Sequence, residues 1–198
     1  MGDLNDKFKI SREKKELRLH QHALSIWMTG LSCAGKTTLG LNLEKELFDR
    51  NFFIQLLDGD DVRLGLNRDL TYSEEGRTEN IRRIAEVNTI FNNSGIITIN
   101  CFISPTHVIR QMARSIIGPG RYIEVFVNAP LSLCEERDVK GFYRKARQGL
   151  IKEFTGIDSP FEEPKHPDLI LDTSTETVEQ TLQRMIAYII PLIQFKPS

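Results

Sequence analysis

The residues with the plainest chemical content are Gly30-Leu31-Ser32-Cys33-Ala34-Gly35-Lys36-Thr37, which match the spacing G-x-x-x-x-G-K-[ST]. Glycines let consecutive backbone N–H groups wrap phosphate oxygens, and a helix that starts at the lysine adds the positive end of its dipole. Lys36 would supply a point charge for the β- and γ-phosphates, and the Thr37 hydroxyl a ligand for Mg²⁺. The motif requires a strand before it and a helix after it. The apolar run Leu24–Met28 precedes it, and Leu39, Leu43 and Leu47 follow at helical spacing. Cys33 fills a variable position. Together these features predict a nucleoside-triphosphate site, although such a loop does not name a reaction; the Asn-Lys-x-Asp guanine signature of a GTPase is absent.

A second cluster, Asp58-Gly59-Asp60, stands at the end of the apolar run Phe52–Leu57. In phosphoryl transfer one carboxylate can hold the metal while another orients an acceptor hydroxyl and takes its proton. The plainer alternative is that Asp58 closes the strand and Asp60 caps the next helix. Arg63, Arg77, Arg82 and Arg83 follow, with Asn80 among them. Guanidinium is the planar, bidentate partner of phosphate- or sulfate-type anions. On a helix expected to start near Thr78, Arg82 also reads as a solvated partner of Glu79 or Glu86. Tyr72 and Phe154 lie in irregular segments where an aromatic ring can stack on a base or pack down its own loop. Lys140–Arg147 gathers four cations in eight residues, either a lid over polyphosphate or an ordinary basic helix face.

Five short apolar runs must position these groups: Leu24–Met28, Phe52–Leu57, Ile96–Ile103, Tyr122–Val127 and Leu169–Leu171. Each is apolar enough to be buried on both faces, as parallel strands are. Helical periods lie between and after them, at Leu39–Leu47, Ile81–Phe91 and Val178–Ile193. The expected fold is therefore α/β, three layers around a mostly parallel five-stranded sheet, of the P-loop nucleoside-triphosphate hydrolase type. Leu66–Arg77 and Asp138–Pro167 break the alternation, and the second reads as a basic lid over about residues 138–167. With 198 residues there is room for one domain, expected over 24–198 behind a loosely attached arm at 1–23. A net charge of −1 gives no support to nucleic-acid or membrane-surface binding, and no apolar run approaches the length of a bilayer span. Three widely spaced cysteines read as free thiols, so the expected setting is the cytoplasm.

In Trp27–Thr38, Leu57–Arg63, Gly65-Leu66-Asn67, Arg77–Glu86, Phe102–Pro105, Glu124–Pro130, Cys134–Asp138, Lys140–Arg147 and Phe154–Asp158 the chain resembles the adenylylsulfate kinases. That resemblance implies transfer of the ATP γ-phosphoryl group to the 3′-hydroxyl of adenylyl sulfate, with Mg²⁺. It makes Gly30–Thr37 with Thr38 the ATP phosphate site, places Arg137 at the ATP adenine and gives Thr37 and Asp58 the metal. Lys36, Asp58, Asp60 and Ser104 become the catalytic set, and Asp60, Arg63, Arg77, Asn80, Ser104 and Lys140 contact the substrate. Tyr72 and Phe154 become a stacking pair around the substrate adenine. Ser104 is the position the family has treated as a phosphoserine intermediate, yet no base is evident beside it, and direct in-line transfer needs no covalent step. The resemblance also implies a homodimer and functional coupling to a separate ATP sulfurylase, which 198 residues would not hold as a fused partner. Cys33, Asp61, Gly76 and Ile109 depart from its usual Gly, Asn, Asp and Asp. Gly76 and Ile109 motivate one rival reading, a kinase for another nucleotide with a modified phosphate; a second, a silent nucleotide-binding regulator, is opposed by the intact Lys36, Thr37, Asp58 and Asp60.

Overall fold

A computed structural model describes residues 9–195 of the chain. The elements run α1 (Arg12–Leu19), β1 (Ser25–Thr29), α2 (Lys36–Asp49), β2 (Ile54–Asp58), α3 (Gly59–Leu64), α4 (Glu74–Asn93), β3 (Ile97–Cys101), α5 (His107–Ile117), β4 (Tyr122–Asn128), α6 (Leu131–Arg137), α7 (Phe142–Arg147), β5 (Leu169–Asp172) and α8 (Val178–Ile193). All five strands are parallel, in the order β2-β3-β1-β4-β5. β1 lies at the centre of the sheet with all five residues buried, which is why its sequence Ser-Ile-Trp-Met-Thr shows no alternation.

One face of the sheet is covered by α2 and α8 through Leu39, Leu43, Leu47, Met185, Ile189 and Ile193. The other is covered by α4 and α5 around Trp27, which stacks between Phe102 and Tyr122 at 5.6 Å from each ring. The expected three-layer architecture is present, with strand ends within two residues of the apolar runs.

Two expectations need correction. α4 begins at Glu74, not near Thr78, because Ser73 caps it by accepting from Gly76 N and two glutamates fill the first turn. That turn is polar, so a hydrophobic period starts counting too late. The arm is not loose over its described residues. In α1, Arg12 pairs with buried Glu16, whose Oε1 also accepts from Ala23 N at 2.8 Å. Gln21 is fully buried and bonds to both backbone groups of Phe53 and to Gly95 O. Residues 1–8 of the arm lie outside the described residues. The segment 138–167, expected as a lid with a basic helix face as the alternative, holds α7 and is bonded repeatedly to the rest of the domain.

Candidate active site

The C-terminal end of β1 delivers Gly30, and α2 begins at Lys36, so the phosphate loop occupies the turn between them. A Cβ on Gly30 would fall 2.3 Å from Val127 O, which admits only glycine there. Gly35 caps α2 at φ +107°, and Cys33 also takes a left-handed angle, +59°. Lys36 folds back over the loop, its Nζ donating to Gly30 O (2.9 Å) and Leu31 O (2.6 Å). Burial pulls its pKa down to about 8, partly offset by the neighbouring Cys101, Cys134 and Asp58.

Thr37 Oγ1 donates to Asp58 Oδ2 at 2.8 Å, joining the loop to the end of β2. Asp58 Oδ1 accepts from Asp60 N, so Asp58 is also the N-cap of α3. The helix cap expected of Asp60 therefore falls to Asp58, which also faces Thr37. Asp60 is not a cap; it lies in the first turn of α3 and its carboxylate pairs with Lys140. A hydroxyl and a carboxylate in contact form a hard-oxygen donor set of the kind that suits Mg²⁺.

Arg63 lies over the Tyr72 ring at 4.2 Å and donates to Leu70 O and Thr71 O. Arg77 donates to Thr155 Oγ1 (3.2 Å), Ser159 Oγ (3.4 Å) and Glu153 O, and burial lowers its pKa. Asn80 is buried, its Oδ1 accepting from Asn67 Nδ2. Phe154 meets Tyr143 edge-on at 4.9 Å, and the Tyr143 hydroxyl donates to Ser32 O of the phosphate loop. Gly76, one of the four departures, sits where a Cβ would fall 2.4 Å from Thr71 O, so this loop closes onto α4 through the missing side chain.

Ser104 is 2% exposed at φ +46°. Its hydroxyl accepts from Trp27 Nε1 at 3.0 Å, and no carboxylate, histidine or lysine bonds to it among the described residues. Arg137 joins the phosphate loop to the end of β5, donating to Cys33 O, Ala34 O, Thr173 O and Thr173 Oγ1.

These groups line one cleft of about 880 Å³, near the upper end of the range of roughly 300–1,000 Å³ for small-molecule sites. Gly30, Leu31 and Ala34 are the sequence-predicted site residues that stand behind its wall. Of the basic set, Arg82 pairs with Glu79 and Glu86, Arg83 with Asp69 and Glu79, and Arg147 with Glu135, all away from the cleft. Within Lys140–Arg147, Lys140 is the cation on the wall. Sequence reading missed Thr173, Thr177, Val178 and Thr181, which close the donor end. The signal was available for Thr173: it follows β5, and ligands gather beyond the carboxyl ends of parallel strands.

The adenylylsulphate kinase family model matches residues 22–172. An adenylyl-sulfate kinase of Bacteroides thetaiotaomicron is 52% identical over 187 residues, covering 94% of this chain and 93% of its own. One of Clostridium acetobutylicum is 46% identical over 181 residues, covering 91% and 90%. Among solved structures, the Mycobacterium tuberculosis APS kinase in complex with AMPPNP and APS superposes with a TM-score of 0.82 at 39% identity, covering 85% of this chain and 98% of that one.

Proposed function

The chain belongs to the adenylylsulfate kinase family, and from that premise we propose how its residues share out the reaction. The protein is an ATP-dependent kinase of sulfate assimilation. It transfers the γ-phosphoryl group to the 3′-hydroxyl of adenosine 5′-phosphosulfate, giving 3′-phosphoadenylyl sulfate and ADP. The observation that carries the assignment of roles is the single cleft shared by the Lys36–Thr37 end of the phosphate loop, the Asp58–Asp60 turn and the Arg77–Phe154 wall.

In the donor half, loop N–H groups and Lys36 hold the β- and γ-phosphates, while Arg137 and Thr173 receive the adenine end. Thr37 and Asp58 would hold Mg²⁺, which would supply charge neutralisation at the donor phosphates. In the acceptor half, Arg63 and Arg77 take the phosphosulfate, Asn80 the ribose, and Tyr72 and Phe154 the purine faces. Asp58 already uses one oxygen on Thr37 and the other on the α3 cap. Asp60 is therefore the carboxylate assigned to orient the 3′-hydroxyl and accept its proton. Lys140, at Asp60, brings a positive charge to the seam between the halves and belongs to the segment that keeps water out. Ser104 holds its turn in shape and forms no covalent intermediate, because its hydroxyl faces a donor, not a base.

The acceptor has to come from an enzyme that adenylylates sulfate. Functional coupling to a separate ATP sulfurylase is thus part of the proposal, together with a homodimer and action in the cytoplasm. Among the described residues no helix is long and apolar enough to cross a membrane. Light scattering checks the dimer. The kinase assignment is checked by coupled ADP release with ATP, Mg²⁺ and adenylyl sulfate. Lys36→Ala should lower kcat/KM by at least about 10²-fold, and wild-type turnover no higher than that of the variant would sink the reading.

A further inference from the structure

Between α7 and β5 the chain forms the wall of the acceptor half: Phe154 stands in it, and Thr155 and Ser159 grip Arg77. What holds this wall lies at its two ends. At the near end Phe154 packs on Tyr143, which is tied to the phosphate loop. At the far end Glu162 is joined to the turn after Ser104 at three points. Its N–H donates to Pro105 O (2.8 Å), its carboxylate Oε2 accepts from His107 N (2.6 Å), and its carbonyl accepts from Arg110 Nη2 (2.7 Å).

Arg110 is 3% exposed and is used on every side. Its Nη1 donates to Ser104 O (2.7 Å), its Nε pairs with Glu124 Oε1 (3.0 Å) and its Nη2 also meets His107 Nδ1 (2.9 Å). One guanidinium thereby ties the Ser104 turn, the far end of the wall and β4 together. The Glu162 carboxylate completes the knot at the first turn of α5, where the His107 N–H has no partner within the helix and the dipole favours a negative charge.

We propose that Glu162 and Arg110 are positioning residues for the acceptor nucleotide. The Glu162 clasp fixes where Phe154 and Arg77 stand, and so sets affinity for adenylyl sulfate while leaving the ATP half alone. This inference rests on the division of the cleft into donor and acceptor halves given above. Two residues separate Ser159 from Glu162, so slack at the clasp passes directly to the groups that hold Arg77. Displacements of about 1 Å at such a distance already cost binding and rate. Glu162 itself is exposed, so removing its carboxylate cuts the tie to His107 N, loosening the clasp that the two backbone bonds still hold, without emptying the core.

The test is steady-state kinetics on the full-length protein. Glu162→Ala should raise KM for adenylyl sulfate about five- to twentyfold, with KM for ATP and saturated kcat within about twofold of wild type. Glu162→Gln, which keeps an oxygen for His107 N, should restore KM for adenylyl sulfate to within about threefold, and Glu163→Ala should leave both KM values unchanged. Trp27 is the sole tryptophan and donates to Ser104, so its fluorescence reports the turn directly and gives a second titration of adenylyl sulfate. A Glu162→Ala protein with wild-type KM for adenylyl sulfate, a parallel rise in KM for ATP, or a Glu162→Gln protein no better than Ala overturns the clasp. Wild-type protein inert toward adenylyl sulfate overturns the reading on which the clasp rests.

Discussion

Lys36 answers to two opposing demands. It must be charged when polyphosphate is bound, yet it is buried against the loop's own carbonyls, and burial draws its pKa down to about 8. Below that pH the lysine already carries its proton, and binding takes none up through it. Above it the free protein has lost the proton, and bound phosphate has to bring one back from solvent, so ATP affinity falls as pH rises through about 8. Titration calorimetry at about pH 9 in two buffers of different ionisation enthalpy should register proton uptake that shrinks toward zero near pH 7. Equal apparent enthalpies in the two buffers at the higher pH would refute this account. The residue identities of the loop, the Asp pair and the flanking arginines were legible in sequence because their chemistry depends on side-chain type and short spacing. Which arginines serve the cleft was not. Arg77 and Arg83 differ in the partners that the fold brings to them, Thr155 and Ser159 for one and Asp69 for the other.

At the scale of elements, α2 both starts the site and packs the sheet, and Gly40 is where the two roles meet. A Cβ at this position would lie 2.6 Å from Cys101 Sγ and 2.9 Å from Leu56 Cδ1. Helix propensity alone favours Gly→Ala by about 1 kcal/mol, whereas overpacking a closed contact costs about 1–3 kcal/mol. Overpacking should win, and Gly40→Ala is expected to lower Tm by about 2–6 °C. Cys101→Ala in the same chain should return part of the loss, and scanning calorimetry on the two variants measures it. Long elements were readable from their periods, as in α8 with Met185, Ile189 and Ile193 on one face. The short helices α6 and α7 were not, since seven and six residues offer too few turns for a period to show. α5 is the instructive miss: Thr106 caps it and Ile109, Ala113 and Ile117 repeat every fourth residue, so its signal was present and went unread.

Across the whole molecule, chemistry and anchorage sit at opposite ends of the same parallel strands. The cleft lies beyond their carboxyl ends, while Gln21 stitches the N-terminal segment to the residues preceding β2 and β3. Gln21→Ala leaves the Phe53 N–H and the buried Gly95 carbonyl without this partner, while Phe53 O keeps Ile97 N, a loss of about 1–3 kcal/mol at the usual cost of unpaired groups. Urea unfolding should show that loss while kcat at saturation stays near wild type; a matching fall in kcat would mean that the two ends are coupled. By itself the sequence determined the strand–loop–helix phosphate site, the parallel α/β layering and the set of residues able to do phosphoryl transfer, because these follow from local spacing and hydrophobic period. Only the tertiary structure decided that the arm is docked, that Asp58 is committed to Thr37, that Lys140 is the cation of Lys140–Arg147 on the cleft, and that Glu162 meets Arg110. Those pairings join residues 21 to 80 positions apart, and nothing in local sequence encodes which distant partner a side chain will find.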